Sequence, residues 1–336
     1  MLPVNMEPAA APVPAAPRPE SLRNRILDPR TLISFAILAL VLWVVLTHVR
    51  LDYRQSLTAI RQTNLALYAA AFLAFYLSMA VRAVRWQLLL RNTGEQSRLP
   101  GLFHIIILAF FANCLLPAKM GDFYRAYLVR QRTPISGSKA LGTIVSERVI
   151  DFLVLMTLLI ISGLISFHAV IPSRFVPAVV AGVLIALALV VGLVGLRFSQ
   201  GWFSRWLPHR YRDRARTFKR GLLDAFQGRS LELVSLSVLV WGLESSRLYL
   251  VVQALPLHLT LNPAQIVFIA LVASLLTTIP ALPGGLVLVE GGIVAVFLFF
   301  GFTASQGFTV AILDRLISYW SLVVVGLVTF VTTRHH

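Results

Sequence analysis

Leu102 to Asp122 reads LFHIIILAFFANCLLPAKMGD, and Ala264 to Gly285 reads AQIVFIALVASLLTTIPALPGG. Each opens with about 15 apolar residues, Leu102 to Leu116 and Ala264 to Ile279, and runs into a break rich in Pro and Gly. Fifteen helical residues rise about 22 Å, short of the roughly 30 Å of hydrocarbon in a bilayer. Another helix-compatible segment follows each break. The pattern predicts re-entrant hairpins or broken helices, which membranes hold only where protein or a wet cavity covers the irregular backbone.

The rest of the chain supplies the membrane context. Of 336 residues 57% are hydrophobic and 13% charged, and mean hydropathy is +0.79, too much apolar side chain for one soluble core. Apolar runs occur at Thr31 to Val49, Leu65 to Val81, Phe152 to Ile171, Phe175 to Leu196, Leu231 to Leu255 and Leu316 to Val331. Ile171-Pro172-Ser173-Arg174 joins two charge-free runs into a helical hairpin. The formal charge of +16 comes from Arg residues flanking apolar runs, which argues for membrane topology and against nucleic acid. Residues 1–22 read as a disordered Ala/Pro-rich tail and 23–333 as a single transmembrane domain. Arg82, Arg85, Arg91 and Arg98, and the basic loop Arg197 to Arg229, predict a multi-pass plasma-membrane protein with both termini cytoplasmic.

The two halves match. Each reads as helix, helix, re-entrant pair, helix, with the first repeat at about 30–171 and the second at about 174–333. Leu116-Pro117-Ala118 recurs as Ile279-Pro280-Ala281, and Glu147-Arg148 has its counterpart in Asp314-Arg315. The fold expected is an all-α polytopic membrane protein of two inverted repeats, each with three spanning helices and a re-entrant helix pair.

Acidic residues stand in the wrong solvent. Asp122, Glu147, Asp151, Glu244, Glu290 and Asp314 lie in or beside apolar segments. A charge near the bilayer centre costs roughly 2.5 to 3.5 kcal/mol on insertion scales, so each is expected to face a cavity or a partner. Glu147, Arg148 and Asp151 are expected at the cytoplasmic end of a span, and Asp314 and Arg315 at the outer end of the last one. Glu244 and Arg247 are spaced i,i+3 inside one run. Asn113, Lys119, Asp122, Arg125 and Glu290 surround the breaks, with Arg125 and Lys119 suited to a lipid phosphate. Cys114 stands alone, and His48, His104, His168, His209 and His258 have no metal-ligand spacing. With no P-loop or nucleophile elbow either, the reading is a carrier without cofactor or metal and not an enzyme.

Asn113-x3-Pro117-x3-Gly121-Asp122-x2-Arg125, Glu147-Arg148-x2-Asp151, Pro280-x2-Pro283-Gly284-Gly285-x4-Glu290 and Asp314-Arg315 together resemble the lysylphosphatidylglycerol synthase transmembrane family, as does Arg85-Trp86 with Leu88-Leu89-Leu90. The resemblance covers about residues 30 to 333. It implies an inverted-repeat flippase for a phospholipid or a polyprenyl-phosphate-linked headgroup, and no soluble aminoacyl-transferase domain follows before His336. Two headgroup vestibules are expected, one at Glu147, Arg148 and Asp151 and one at Glu290, Asp314 and Arg315. The partners expected are membrane lipids, and a homo-oligomer is compatible with the sequence. The competing expectations are a proton- or ion-coupled small-solute transporter, in which the same acids relay protons, and a scaffold or group-transferring membrane enzyme.

Overall fold

A computed structural model describes residues 52–116, 119–169, 172–198, 208–228, 230–257, 259–279 and 283–333. The N-terminal tail and the first expected span, Thr31 to Val49, lie outside the described residues. Among those described the chain is helical throughout. In order come α1 (Tyr53–Arg61), α2 (Leu65–Asn92), α3 (Leu99–Leu115), α4 (Met120–Arg132), α5 (Gly137–Ser166) and α6 (Val176–Phe198). There follow α7 (His209–Asp224), α8 (Ser230–Ala254), α9 (Pro263–Leu276), α10 (Leu288–Phe299) and α11 (Ala304–Thr333), the last interrupted by a π-helical stretch at Leu316–Ser321. Five helices, α2, α5, α6, α8 and α11, are long and apolar enough to cross a membrane; α3, α9 and the segment Pro283–Phe299 are apolar but shorter. The chain is therefore an integral membrane protein with several apolar helices.

Helix starts carry their own signals. Asn64 accepts from the amides of Ala66 and Leu67, and Ser136 from that of Lys139. Asn262 with Gln265 and Thr303 with Gln306 close full capping boxes. Each cap is worth about 1 kcal/mol in water, and an unsatisfied amide in hydrocarbon costs several.

Three expectations about helix ends are corrected. The helix carrying Glu147 opens at Gly137, so Glu147, Arg148 and Asp151 lie well inside a 30-residue helix and not at its end. Its first turns are small and polar, and they bury Ala140, Gly142, Thr143 and Ser146 against α7. The backbones nearly touch there: a Cβ on Gly142 would sit 2.5 Å from the Phe218 carbonyl oxygen. Asp314 and Arg315 likewise lie within α11, because the Thr303–Gln306 capping box starts the helix at Ala304. The basic loop after Arg197 is helical over His209–Asp224, where the partly buried Ala215 and Phe218 and the buried Leu222 repeat at helical spacing.

The packing pairs off. The largest interface joins α2 to α8. Around it, α2 meets α3 as α8 meets α9, α3 meets α4 as α9 meets α10, and α4 meets α5 as α10 meets α11. The short helix α3 lies on the C-terminal part of α11, while α9 lies on α5. Amphipathic α1 rests on α11, and amphipathic α7 on α5. By contrast α6 buries only Gly182, and its other faces are apolar and exposed or partly exposed.

Candidate functional site

The charges within the helices form a ladder of ion pairs between α2, α4, α5, α8, α10 and α11. Arg85 of α2 is fully buried and grips α5, with Nη2 donating to Glu147 at 2.9 Å and to Asp151 at 2.9 Å. Glu147 also accepts from Arg125 of α4 at 2.7 Å. Arg148 turns the other way, and donates to Asp122 from Nε at 3.0 Å and from Nη2 at 2.7 Å. Across the bundle Arg247 of α8 lies 3.2 Å from Asp314 and 3.4 Å from Glu244, while Arg315 donates to Glu290 at 2.9 Å. Arg82 joins the two sides, 3.8 Å from Asp151 and 3.4 Å from Glu244.

A local rule repeats in the two halves. The acid of the long helix, Glu147 or Asp314, takes an Arg from α2 or α8. The adjacent Arg, 148 or 315, takes the acid in the first turn after the break, Asp122 or Glu290. Aromatic faces stand in for water beside four of the six guanidiniums of the described ladder. Arg125 lies 3.8 Å over Trp86, Arg82 5.4 Å from both Phe110 and Trp241, Arg247 5.6 Å from Phe75 and Arg315 4.9 Å from Tyr319. Guanidinium suits this role because one fork can bridge two carboxylates, which an ammonium point charge cannot do with fixed geometry.

A cavity of about 500 Å³ opens along this ladder. Asn113, Lys119, Asp122, Arg148 and Asp151 line it from the first half, and Glu244, Arg247, Asp314 and Arg315 from the second. The expectation of two vestibules is thereby corrected: residues assigned to opposite faces border one space, because α2 and α8 each pack against both long helices. Arg125, Glu147 and Glu290 do not line it. The first two are buried against each other, and Glu290 holds Arg315. Arg125, expected on a phosphate, is thus committed to Glu147 and Trp86. The Glu244–Arg247 pair is shared with Arg82, Ser78 and Asp314.

Arg82 and Arg85, counted in the sequence with the basic stretch that sets topology, are buried inside the bundle. They are 5% and 0% exposed, and both belong to the ladder. The missed signal was their i,i+3 spacing beside Trp86 within one unbroken helical stretch, which puts both on the face that meets α5 and α8.

The same turn of α11 holds both chain breaks. Arg315 Nη2 donates to the Gly284 carbonyl at 2.7 Å, and the Tyr319 hydroxyl donates to the Cys114 carbonyl at 3.0 Å. This turn coincides with the π stretch, a backbone form that recurs at functional sites. Tyr319→Phe leaves the Cys114 carbonyl without that donor, and an expected stability loss of about 1 kcal/mol should appear as a lower unfolding midpoint of a still folded protein.

Comparison with known proteins agrees with this architecture. A profile described as lysylphosphatidylglycerol synthase TM region matches residues 31–326. UPF0104 membrane protein MJ1078 of Methanocaldococcus jannaschii is 35% identical over 221 residues, covering 66% of this chain and 93% of its own length. A UPF0104 membrane protein of Methanothermobacter thermautotrophicus is 25% identical across 92% of this chain and 95% of its own. Glycosyltransferase AglD of Haloferax volcanii shares 29% identity over 40% of this chain, which is only 21% of that protein. With the match spanning the breaks, the ladder and nearly every described helix, the chain belongs to the lysylphosphatidylglycerol synthase transmembrane-region family.

Proposed function

We propose that the cavity receives the headgroup of a membrane lipid and that the protein carries this lipid between leaflets, as a carrier and not as an enzyme. The observation that bears the proposal is the make-up of the cavity wall. Its ionic ladder faces apolar side chains of Phe110, Phe152, Leu155, Leu189 and Leu322, so polar and apolar parts of one ligand find matching surfaces. Leu189 belongs to α6, the helix with almost no buried face, which extends the wall toward the lipid. A small polar solute needs no such apolar side. The gain is the avoided cost of dragging a polar headgroup through hydrocarbon.

The paired contacts support two inverted repeats, with α1 to α5 corresponding to α7 to α11 and the acid–Arg rule recurring in each. The short α3–α4 and α9–α10 pairs then serve as re-entrant hairpins whose breaks meet at the cavity. In this reading the protein resides in the plasma membrane with both termini cytoplasmic, and the halves rock about the α2–α8 interface.

The test is reconstitution of the full chain into liposomes holding a trace of phospholipid labelled on its tail, with leaflet exchange followed by quenching from outside. Exchange at least tenfold faster than in protein-free vesicles is expected. Arg148→Ala, which removes a cation from the cavity wall, should lose most of the acceleration while eluting as a monodisperse peak. Absence of acceleration with phospholipid and with a polyprenyl phosphate alike would refute the proposal.

A further inference from the structure

The ladder's two halves differ at the residue that starts the helix after each break. Lys119 is the N-cap of α4, with a left-handed backbone at φ 53°, whereas the corresponding N-cap of α10 is Val287 at φ 69°. Lys119 lines the cavity next to Asp122. Asp122 is already taken by the fork of Arg148, and among the described residues no carboxylate comes within ion-pairing distance of Lys119.

Every carboxylate of the ladder holds at least one guanidinium. Asp122 holds Arg148, Glu147 holds Arg85 and Arg125, Asp151 holds Arg85, Glu244 and Asp314 hold Arg247, and Glu290 holds Arg315. With Arg82 and Lys119 added, the described ladder sets seven cations against six carboxylates. Donors are in surplus as well: among the described ladder residues six buried guanidinium nitrogens make no hydrogen bond, including the Nε of the cavity-lining Arg82 and Arg247, against two carboxylate oxygens that accept none, Glu290 Oε2 and Asp314 Oδ1. The site is short of one negative charge and of acceptor oxygens.

Resting on the lipid-carrier reading above, we infer that the cavity selects lipids whose headgroup is net negative through a phosphate ester, with Lys119 supplying the unmatched cation. A phosphodiester brings one negative charge and several acceptor oxygens, which answers both shortages. A choline headgroup brings a further cation, for which no carboxylate of the ladder is spare. Buried charge without a partner is costly, so the mismatch falls on the zwitterionic lipid.

The experiment incubates the full chain in mild detergent with equal amounts of dioleoylphosphatidylglycerol and dioleoylphosphatidylcholine and counts retained lipid by native mass spectrometry. Phosphatidylglycerol should be retained about tenfold over phosphatidylcholine. Lys119→Gln should bring the ratio near parity, and Lys119→Arg should keep it, which separates charge from folding. Equal retention by the unmodified protein, or an unchanged ratio in Lys119→Gln, overturns the inference. Glycerophosphoglycerol offers the same phosphodiester without tails, and if it displaced phosphatidylglycerol as effectively as the lipid itself, a lipid ligand would be ruled out. Retained preference without leaflet exchange in liposomes would sink the carrier reading and uphold the selectivity. Equal exchange of both lipids would do the reverse.

Discussion

Arg85→Met is expected to remove the protein from the folded fraction, read as loss of the monodisperse peak after detergent extraction. Arg85 is the only described cation that bonds both Glu147 and Asp151, and its side chain has no exposure. Breaking a buried pair by deleting one partner costs about 3 to 5 kcal/mol, because the remaining charge stays buried. Here two carboxylates lose a partner, against a total stability of order 5 to 15 kcal/mol. Neutralising Glu147 in the same chain should not rescue it, since Arg125 would then lose its own partner at 2.7 Å. Arg85→Lys should be intermediate, as an ammonium keeps the charge but not the fork. Arg61→Met, on the exposed end of α1, should elute as the parent does. Normal elution of Arg85→Met would mean that apolar packing alone holds α2 to α5.

Gly121→Val should be comparably damaging through shape alone. A Cβ at Gly121 would stand 2.0 Å from the Ala109 carbonyl oxygen and 2.6 Å from Asn113 Oδ1, so the first turn of α4 can pack on α3 only without a side chain. The obstruction is backbone, which cannot rotate aside, and overpacking of even compliant cores costs about 1 to 3 kcal/mol. The substitution also breaks the bond from the Gly121 amide to Asn113 at 2.8 Å and swings Asp122 away from Arg148. A fall in thermal unfolding midpoint together with loss of leaflet exchange is expected. Gly242→Ala is the control, because nothing lies within 4 Å of the Cβ it would add.

Much of this was legible in single segments. The Pro172 hairpin, the short apolar runs before each break and the displaced acids all show as local pattern. Pairing across helices did not show: Arg85 and Asp151 are 66 positions apart, and nothing at either place names the other. Arg82 and Arg85 were hidden because an Arg just past an apolar run has the ordinary form of a solvated flank, and only the continuation of α2 to Asn92 puts them inside. Amphipathic α7 was hidden by its arginines, whose density drowns the Ala215, Phe218 and Leu222 stripe. Lys119 stood out by type, but its surplus charge emerges only once each carboxylate has a partner.

The π stretch of α11 bears on how many ways this molecule can come loose. Its chain is broken in two places, far apart in sequence, and two independent points of local melting would be the simple expectation. Yet Gly284 and Cys114 are both tethered to residues of one helical turn, Arg315 and Tyr319. Slippage of that turn releases both carbonyls at once, while slippage anywhere else in α11 releases neither directly. The breaks are therefore expected to act as a single fuse, with hydrogen exchange at amides flanking Cys114 and Gly284 rising together when Tyr319 or Arg315 is replaced.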